Sequence, residues 1–414
     1  MATVKAFRAI RPRADLAEEV ASLPYDVFSR EEAAAAVKDA PLSFLNIDRP
    51  ETQFSPDTDM YSMPVYQKAD AMLKEQREKG IWVQDDVPCF YLYELTDNGH
   101  VQTGFVGVSA VDDYIDGVCR KHEKTTAKKE QDRINHVDTL SAQTGPIYLM
   151  YRQTPALANL MQKNKQNEPI YDFILDGIRH RVWVVQADAE AIETAFQDVP
   201  STYIADGHHR AASAVKVSLK RRQEHPNYTG EEEFNYFLSV LFPEDELHIY
   251  DYNRFVKDLN GMDRTQWLQR LKTVCTIAPL AKAEHPSCRH QMTMYMRDQW
   301  YRLDFREAVI EPFENDPVQS LDVDLLQNLI LDPLLGIQDA RNDERIEFVG
   351  GIRGLKELEK RVDQADQEAA AFAMYPTDVK ELLNVADANR LMPPKSTWFE
   401  PKLLSGLFIH EIER

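Results

Sequence analysis

The run Ile204-Ala205-Asp206-Gly207-His208-His209-Arg210 constrains this chain more than any other feature, because it reads as a strand, a tight turn and a helix start. Thr202 to Ala205 is short and apolar, which predicts a strand. Ala211 to Leu219 is rich in alanine and places Ala212, Val215 and Leu219 on one face, which predicts a helix. Asp206 is positioned to cap that helix by accepting its first amides. Gly207 lets the backbone turn sharply and approach a ligand closely. The first-turn amides then face outward where the helix dipole favours an anion. Arg210 can grip a phosphate with two hydrogen bonds, and His208 and His209 add donors. Asp206 to Arg210 is therefore expected to bind phosphate. Two simpler readings compete: a bare cap and turn, or a metal held by the two histidines. Adjacent helical residues diverge by about 100°, and no Cys/His pair lies nearby in sequence, so no metal site is expected.

At 414 residues the chain is long for one core, and 43% hydrophobic residues are enough for two or three. No apolar run approaches the length of a membrane helix, and the N-terminus lacks a secretion signal's apolar core. Cys89, Cys119, Cys275 and Cys288 are scattered without zinc or redox spacing, as in a reducing compartment. A cytoplasmic protein with no membrane partner is expected. The net charge of -20 disfavours nucleic acid unless basic residues are concentrated locally. One stretch does concentrate them: Arg120 to Arg133 holds six basic residues against three acidic ones. It is either an anion site or a solvated helix face with ion pairs.

Alternation and turn signals predict a strand over Val4 to Ile10, a short helix over Glu31 to Lys38 and a strand over Ser43 to Ile47. A helix over Val65 to Lys79 ends at Gly80. Asn98-Gly99 and Asp176-Gly177 mark two hairpins, and a helix spans Ala189 to Phe196. The pattern restarts after about residue 260 with a helix over Thr265 to Val274 and a meander around Met292 to Leu303. Helices over Asp324 to Leu331 and Leu355 to Val362 flank a strand at Arg345 to Val349. The class is α+β: a mixed sheet with helices over 1–260 and a C-terminal α+β region over 261–414.

Several motifs together resemble the DUF1015 family of the ParB/sulfiredoxin superfamily. They are Lys5 to Pro12, Pro24-Tyr25-Asp26-Val27, His122-Glu123-Lys124-Thr125, Lys129-Glu130 with Asp132-Arg133, Asp206 to Arg210 and Met392 to Thr397. The resemblance extends to the ADP-dependent free-serine kinase, which pairs His-Glu upstream with Asp-Gly-His-His-Arg. It implies a ParB/sulfiredoxin-like sheet, ADP or ATP with Mg2+ as cofactors, and a small hydroxylated acceptor such as L-serine. Under it, Glu123 is the catalytic base beside His122, and Lys124, Thr125 and Asp206 to Arg210 hold nucleotide phosphate. Lys395, Ser396 and Thr397 form a last segment that closes the site. Eighty-three positions separate Glu123 from Asp206, more than in the kinase.

The chemistry agrees, since phosphoryl transfer needs held phosphates and a carboxylate to take the acceptor's proton. Arg120, Lys121 and Lys124 around Glu123 favour its ionised form. Glu123 could equally be one member of a surface ion-pair series, and the Lys395 loop could simply be packed by Trp398 and Phe399. Asp57, Asp59 and the Asp112-Asp113 pair read as solvated carboxylates rather than Mg2+ ligands. No Walker loop, Rossmann fingerprint or nucleophile elbow is present. A nucleotide-dependent phosphotransferase is the leading expectation. The alternative is a ParB-like nucleotide- or DNA-binding module, for which Lys220-Arg221-Arg222 is the one basic helix end. Sulfiredoxin-like repair would need a thiol where His208 stands.

Overall fold

The computed structural model describes residues 1–413 and is α+β. Its contacts divide the chain into two compact units, 1–247 together with the segment from Pro401, and 248–400. This differs from the expected boundary near 260, and the reason is local pairing. Tyr252–Val256 is an interior strand of the second unit's sheet, between Ala370–Met374 and Ile346–Gly350. The last residues, expected with the C-terminal region, return to the first unit. There Ile409 bridges Ile10, Ser405 bridges Ser22, and His410–Glu411 pairs with Ala142–Gln143.

The first unit is built on a nine-stranded mixed sheet. From one edge its order is Cys119–Arg120, Thr202–Asp206, Ile147–Tyr151, Tyr236–Pro243, His100–Ala110, Phe90–Asp97, Ile178–Val185 and Tyr171–Leu175. Val4–Lys5 adds to His100–Ala110 at Val108 and Ser109. Both predicted hairpins form, with Asn98, Gly99, Asp176 and Gly177 all at positive φ, as a two-residue primed turn requires. The central strands Ile147–Tyr151 and Tyr236–Pro243 run parallel and are buried at every position. Strands covered on both faces lose apolar-polar alternation, which is why sequence periodicity passes over them.

Two N-terminal expectations are corrected. The strand expected over Val4 to Ile10 splits into Val4–Lys5 and Ile10–Pro12, which join different partners. The strand expected over Ser43 to Ile47 is the short helix Leu45–Asp48. The Asn46 amide donates to the carbonyls of Ala40 and Ser43, each at 2.9 Å, and this closes a turn that competes with extension.

The second unit carries a six-stranded antiparallel sheet: Cys275–Leu280, Gln299–Phe305, Gln291–Met296, Ala370–Met374, Tyr252–Val256 and Ile346–Gly350. Helix Leu355–Asp363 buries Leu358 and Val362 against Phe255, Tyr295 and Trp300 of that sheet. The predicted helix from Asp324 begins at Asp322 and passes into a wider π turn over Gln327–Leu331.

Candidate functional site

An edge strand and its parallel neighbour create the site. Thr202 pairs with Cys119 and Tyr203 with Arg120, so both strands finish at the same end of the sheet. The segments leaving that end must then meet: His122 and Glu123 from one strand, Gly207 and His208 from the other. The strand Thr202–Asp206 also shifts register between Ile204 and Asp206, which re-aims its last residue.

Helix His208–Glu224 starts as expected, but its cap does not. Gly207, at φ 92° and ψ 28°, is the capping residue and has no side chain with which to cap. Asp206 is drawn elsewhere: its carboxylate takes the Gly207 amide, accepts Arg210 Nη2 at 3.1 Å and lies 3.8 Å from Lys402 Nζ. Burial would raise this carboxyl, yet Lys402, Arg210 and His208 bring it down to about 2, so it is ionised at neutral pH. The dipole at the start of this helix suits it to an anion.

Arg210 turns inward. Its Nη1 donates to the Pro146 carbonyl at 2.5 Å, and the side chain is 9% exposed. Its Nε lies 3.0 Å from the point where a Gly207 Cβ would stand, so a side chain there would press on the guanidinium as well as strain the positive φ. Arg210 holds Asp206 and the 145–146 backbone in place, whereas the sequence suggests an outward phosphate grip.

The loop 121–126 folds over the helix start. Glu123, 41% exposed, puts Oε2 3.6 Å from His208 Nδ1. The His122 and His208 rings meet edge to face at 4.6 Å. The Thr126 amide donates to His209 Nε2 at 3.1 Å, tying the loop to the helix. Thr125 donates to Glu130, which also takes Lys216, while Lys121 and Lys124 are exposed. The structure thus brings together His122, Glu123, Thr125 and Asp206 to Arg210, with Lys124 on the same loop. Lys402 is an addition that sequence reading missed, because no local pattern announces a lysine returning after an entire second unit.

Burial holds the His122 imidazole down at about 4, against the opposing pull of Asp206 and a backbone bond at Ile204. Burial pushes His208 well below its usual range too, reinforced by His122. Both rings are neutral at pH 7. An unfolded histidine protonates near 6.5, so between 6.5 and 4 the unfolded chain binds more protons and stability falls as pH falls. Wild-type protein should therefore lose about 2 kcal/mol more than His122→Gln between pH 7 and pH 5. Thermal melts of both at the two pH values measure this, and equal acid sensitivity would reject a neutral buried His122.

Other predicted residues have structural partners. In the second unit, the Lys395 carbonyl accepts Arg254 at 3.0 Å and its ammonium lies 5.5 Å from the Tyr252 ring centre. Ser396 Oγ donates to Pro393 O at 2.7 Å, the Ser396 carbonyl accepts Thr377, and Thr397 is half-buried. Asp112 pairs with Arg222 at 2.6 Å, and Asp113 accepts the Thr3 amide at 2.6 Å. Lys220 and Arg221 both pair with Asp138, so the basic helix end is internally matched. No group of three or more His, Cys, Asp or Glu gathers as a metal site among the described residues. All four cysteines are free, and burial pushes Cys119 up to about 12. No helix among the described residues is long and apolar enough to cross a membrane.

Solved structures similar to this chain share 11–15% identity. SbnI with C-terminal truncation from Staphylococcus aureus matches with a TM-score of 0.37, 11% identity, 72% of this chain and 85% of its own. A free serine kinase in complex with AMP matches at TM-score 0.34 and 12% identity, over 73% and 90% of the two chains. A conserved hypothetical protein from Pyrococcus furiosus matches at 0.31 and 15%, over 72% and 94%. Likeness at this level assigns neither ligand nor reaction. The search of curated proteins finds no match. A family model described as protein of unknown function (DUF1015) matches residues 4–324, leaving the Met392 to Thr397 motif outside it, and the chain belongs to that DUF1015 family.

Proposed function

We propose that this protein is a ParB/sulfiredoxin-like phosphotransferase that moves a phosphoryl group from ADP or ATP to the hydroxyl of a small metabolite. The observation that carries this reading is the meeting of Glu123 with His208 at the start of helix His208–Glu224. An acceptor hydroxyl beside Glu123 attacks the terminal phosphorus. The new P–O bond forms as the bond to the nucleotide breaks, and the hydroxyl proton passes to Glu123. The nucleotide leaves one phosphate shorter.

The amides of His208 and His209 hold the transferring phosphate, with Lys124 adding charge from the loop. Neutral His208 orients Glu123, and His122 acts as a positioning residue beneath it. Arg210 keeps Asp206 and Gly207 in register rather than gripping phosphate. Mg2+ commonly uses one or two carboxylates together with substrate phosphates, and ionised, half-buried Asp206 fits that role. When bound, Mg2+ neutralises phosphate charge. This reading draws only on first-unit residues.

The test is mass spectrometry of the products after incubation with Mg2+, ADP or ATP, and pooled hydroxylated metabolites including L-serine. A phosphorylated metabolite that disappears in Glu123→Gln supports the reading and names the acceptor. Intact nucleotide with no phosphorylated product overturns it in favour of a nucleotide-binding module without chemistry.

A further inference from the structure

The segment from Pro401 packs as part of the first unit and runs beside the Asp206 turn. Its backbone is fixed close to Lys402. The Ser405 amide donates to the Ser22 carbonyl at 2.9 Å, and the Ser405 carbonyl accepts the Ser22 amide at 3.1 Å. Pro401, Leu403 and Leu404 are buried on either side of the lysine. Gly406, at φ 84°, passes so near Phe44 that an added Cβ would stand 2.6 Å from the Phe44 Cβ. A Cβ added at Gly145 would meet Arg210 Cδ at 3.4 Å and Ser405 Oγ at 3.7 Å, so the segment and Arg210 flank the same glycine.

From this anchored backbone the Lys402 side chain reaches Asp206. Its Nζ lies 3.8 Å from Asp206 Oδ2, the same oxygen that accepts Arg210 Nη2 at 3.1 Å. At 3.8 Å this pair is held by charge and not by a hydrogen bond. Against the upward push of burial, Lys402 is the largest of the charges that hold the Asp206 carboxyl down. One carboxylate thus answers two cations of different kinds. Arg210 is the nearer, and its Nη1 is committed to the Pro146 carbonyl. Lys402 is a compact charge on a flexible stem, able to exchange one anion for another by a rotamer change. Its side chain is 16% exposed, whereas Lys124 stands exposed on its loop. A cation held in a partly dried site acts more strongly on charge that develops beside it than one in open water does.

We infer that Lys402 is a catalytic residue that contacts the terminal phosphate of the nucleotide, leaving Asp206 for it when nucleotide binds. Asp206 takes the Gly207 amide, so an ammonium beside Asp206 already stands at the turn that opens helix His208–Glu224. The inference rests on the nucleotide site proposed above and adds to it the residue that distinguishes a nucleotide carrying the transferable phosphate from one without it. The bonds made and broken are those of the proposed transfer. Lys402 keeps its protons and donates a hydrogen bond to a non-bridging phosphate oxygen.

The test is calorimetric titration of the full chain and of Lys402→Met with ADP and with AMP, alongside steady-state kinetics. The substitution should weaken ADP ~10–100-fold and leave AMP within about threefold, the loss expected for one hydrogen bond to a charged group. It should lower kcat by ~10²–10³-fold. Lys402→Arg, which keeps the charge, should recover part of the ADP preference. A thermal melt establishes that Lys402→Met is folded; if it is not, reductive methylation of the wild-type lysines, mapped by peptide mass spectrometry, should be slowed at Lys402 by ADP and not by AMP. Equal weakening of ADP and AMP means that Lys402 only holds Asp206, and overturns the inference while the phosphotransferase reading stands. A selective loss of ADP affinity in a protein that transfers no phosphate supports the contact and overturns that reading alone. Failure of wild-type protein to bind either nucleotide overturns both.

Discussion

Glu123→Gln should lower kcat by ~10²–10⁴-fold while leaving the nucleotide Kd within a factor of about two. Glutamine keeps the shape of the side chain and its approach to His208, so the loop 121–126 has no reason to move. The capacity to take a proton as the acceptor oxygen attacks is lost. Binding is spared because the proposed phosphate contacts come from the amides of the helix start, which the substitution does not touch. Steady-state kinetics with calorimetric binding separate these effects. A kcat within about threefold of wild type would remove Glu123 from the chemistry.

Arg210→Ala should destabilise the first unit by ~3–5 kcal/mol, the scale for breaking a buried pair at one partner. The change removes the bond to Pro146 O, takes from Asp206 its Arg210 partner while Lys402, His208 and the Gly207 amide remain, and opens space beneath Gly207. For a unit of this size the melting temperature should fall by ~10 °C. Differential scanning calorimetry measures it, and a fall under about 2 °C would mean that the inward guanidinium does not hold the turn. Lost activity in this variant would accordingly not identify Arg210 as a phosphate ligand, whereas loss in Glu123→Gln with an unchanged melt speaks to chemistry.

Local chemistry made much of the fold legible. Asn98-Gly99 and Asp176-Gly177 turn because only such residues take positive φ readily, and the helix Ala189–Phe196 was readable to the residue. The central strands Ile147–Tyr151 and Tyr236–Pro243 were not readable, because their burial on both faces erases the alternation that marks a strand. Ser43 to Ile47 misled because a short apolar run does not reveal its own period, and Asn46 settled it through bonds to neighbouring carbonyls.

For the site, the sequence by itself determined the strand, the glycine turn and the helix start at Thr202 to Arg210, together with the residue types gathered in the His122-Glu123 loop. Those outcomes depend on backbone preferences spanning a few residues. Tertiary structure alone decided that the two motifs meet, through the parallel pairing of Thr202 with Cys119, eighty-three positions apart in the chain. It also decided that Asp206 answers Arg210 and Lys402 instead of capping its helix, and that Arg210 turns inward to the Pro146 carbonyl. Charge pairing and burial depend on which distant segments share a volume, and adjacency in sequence does not carry that information.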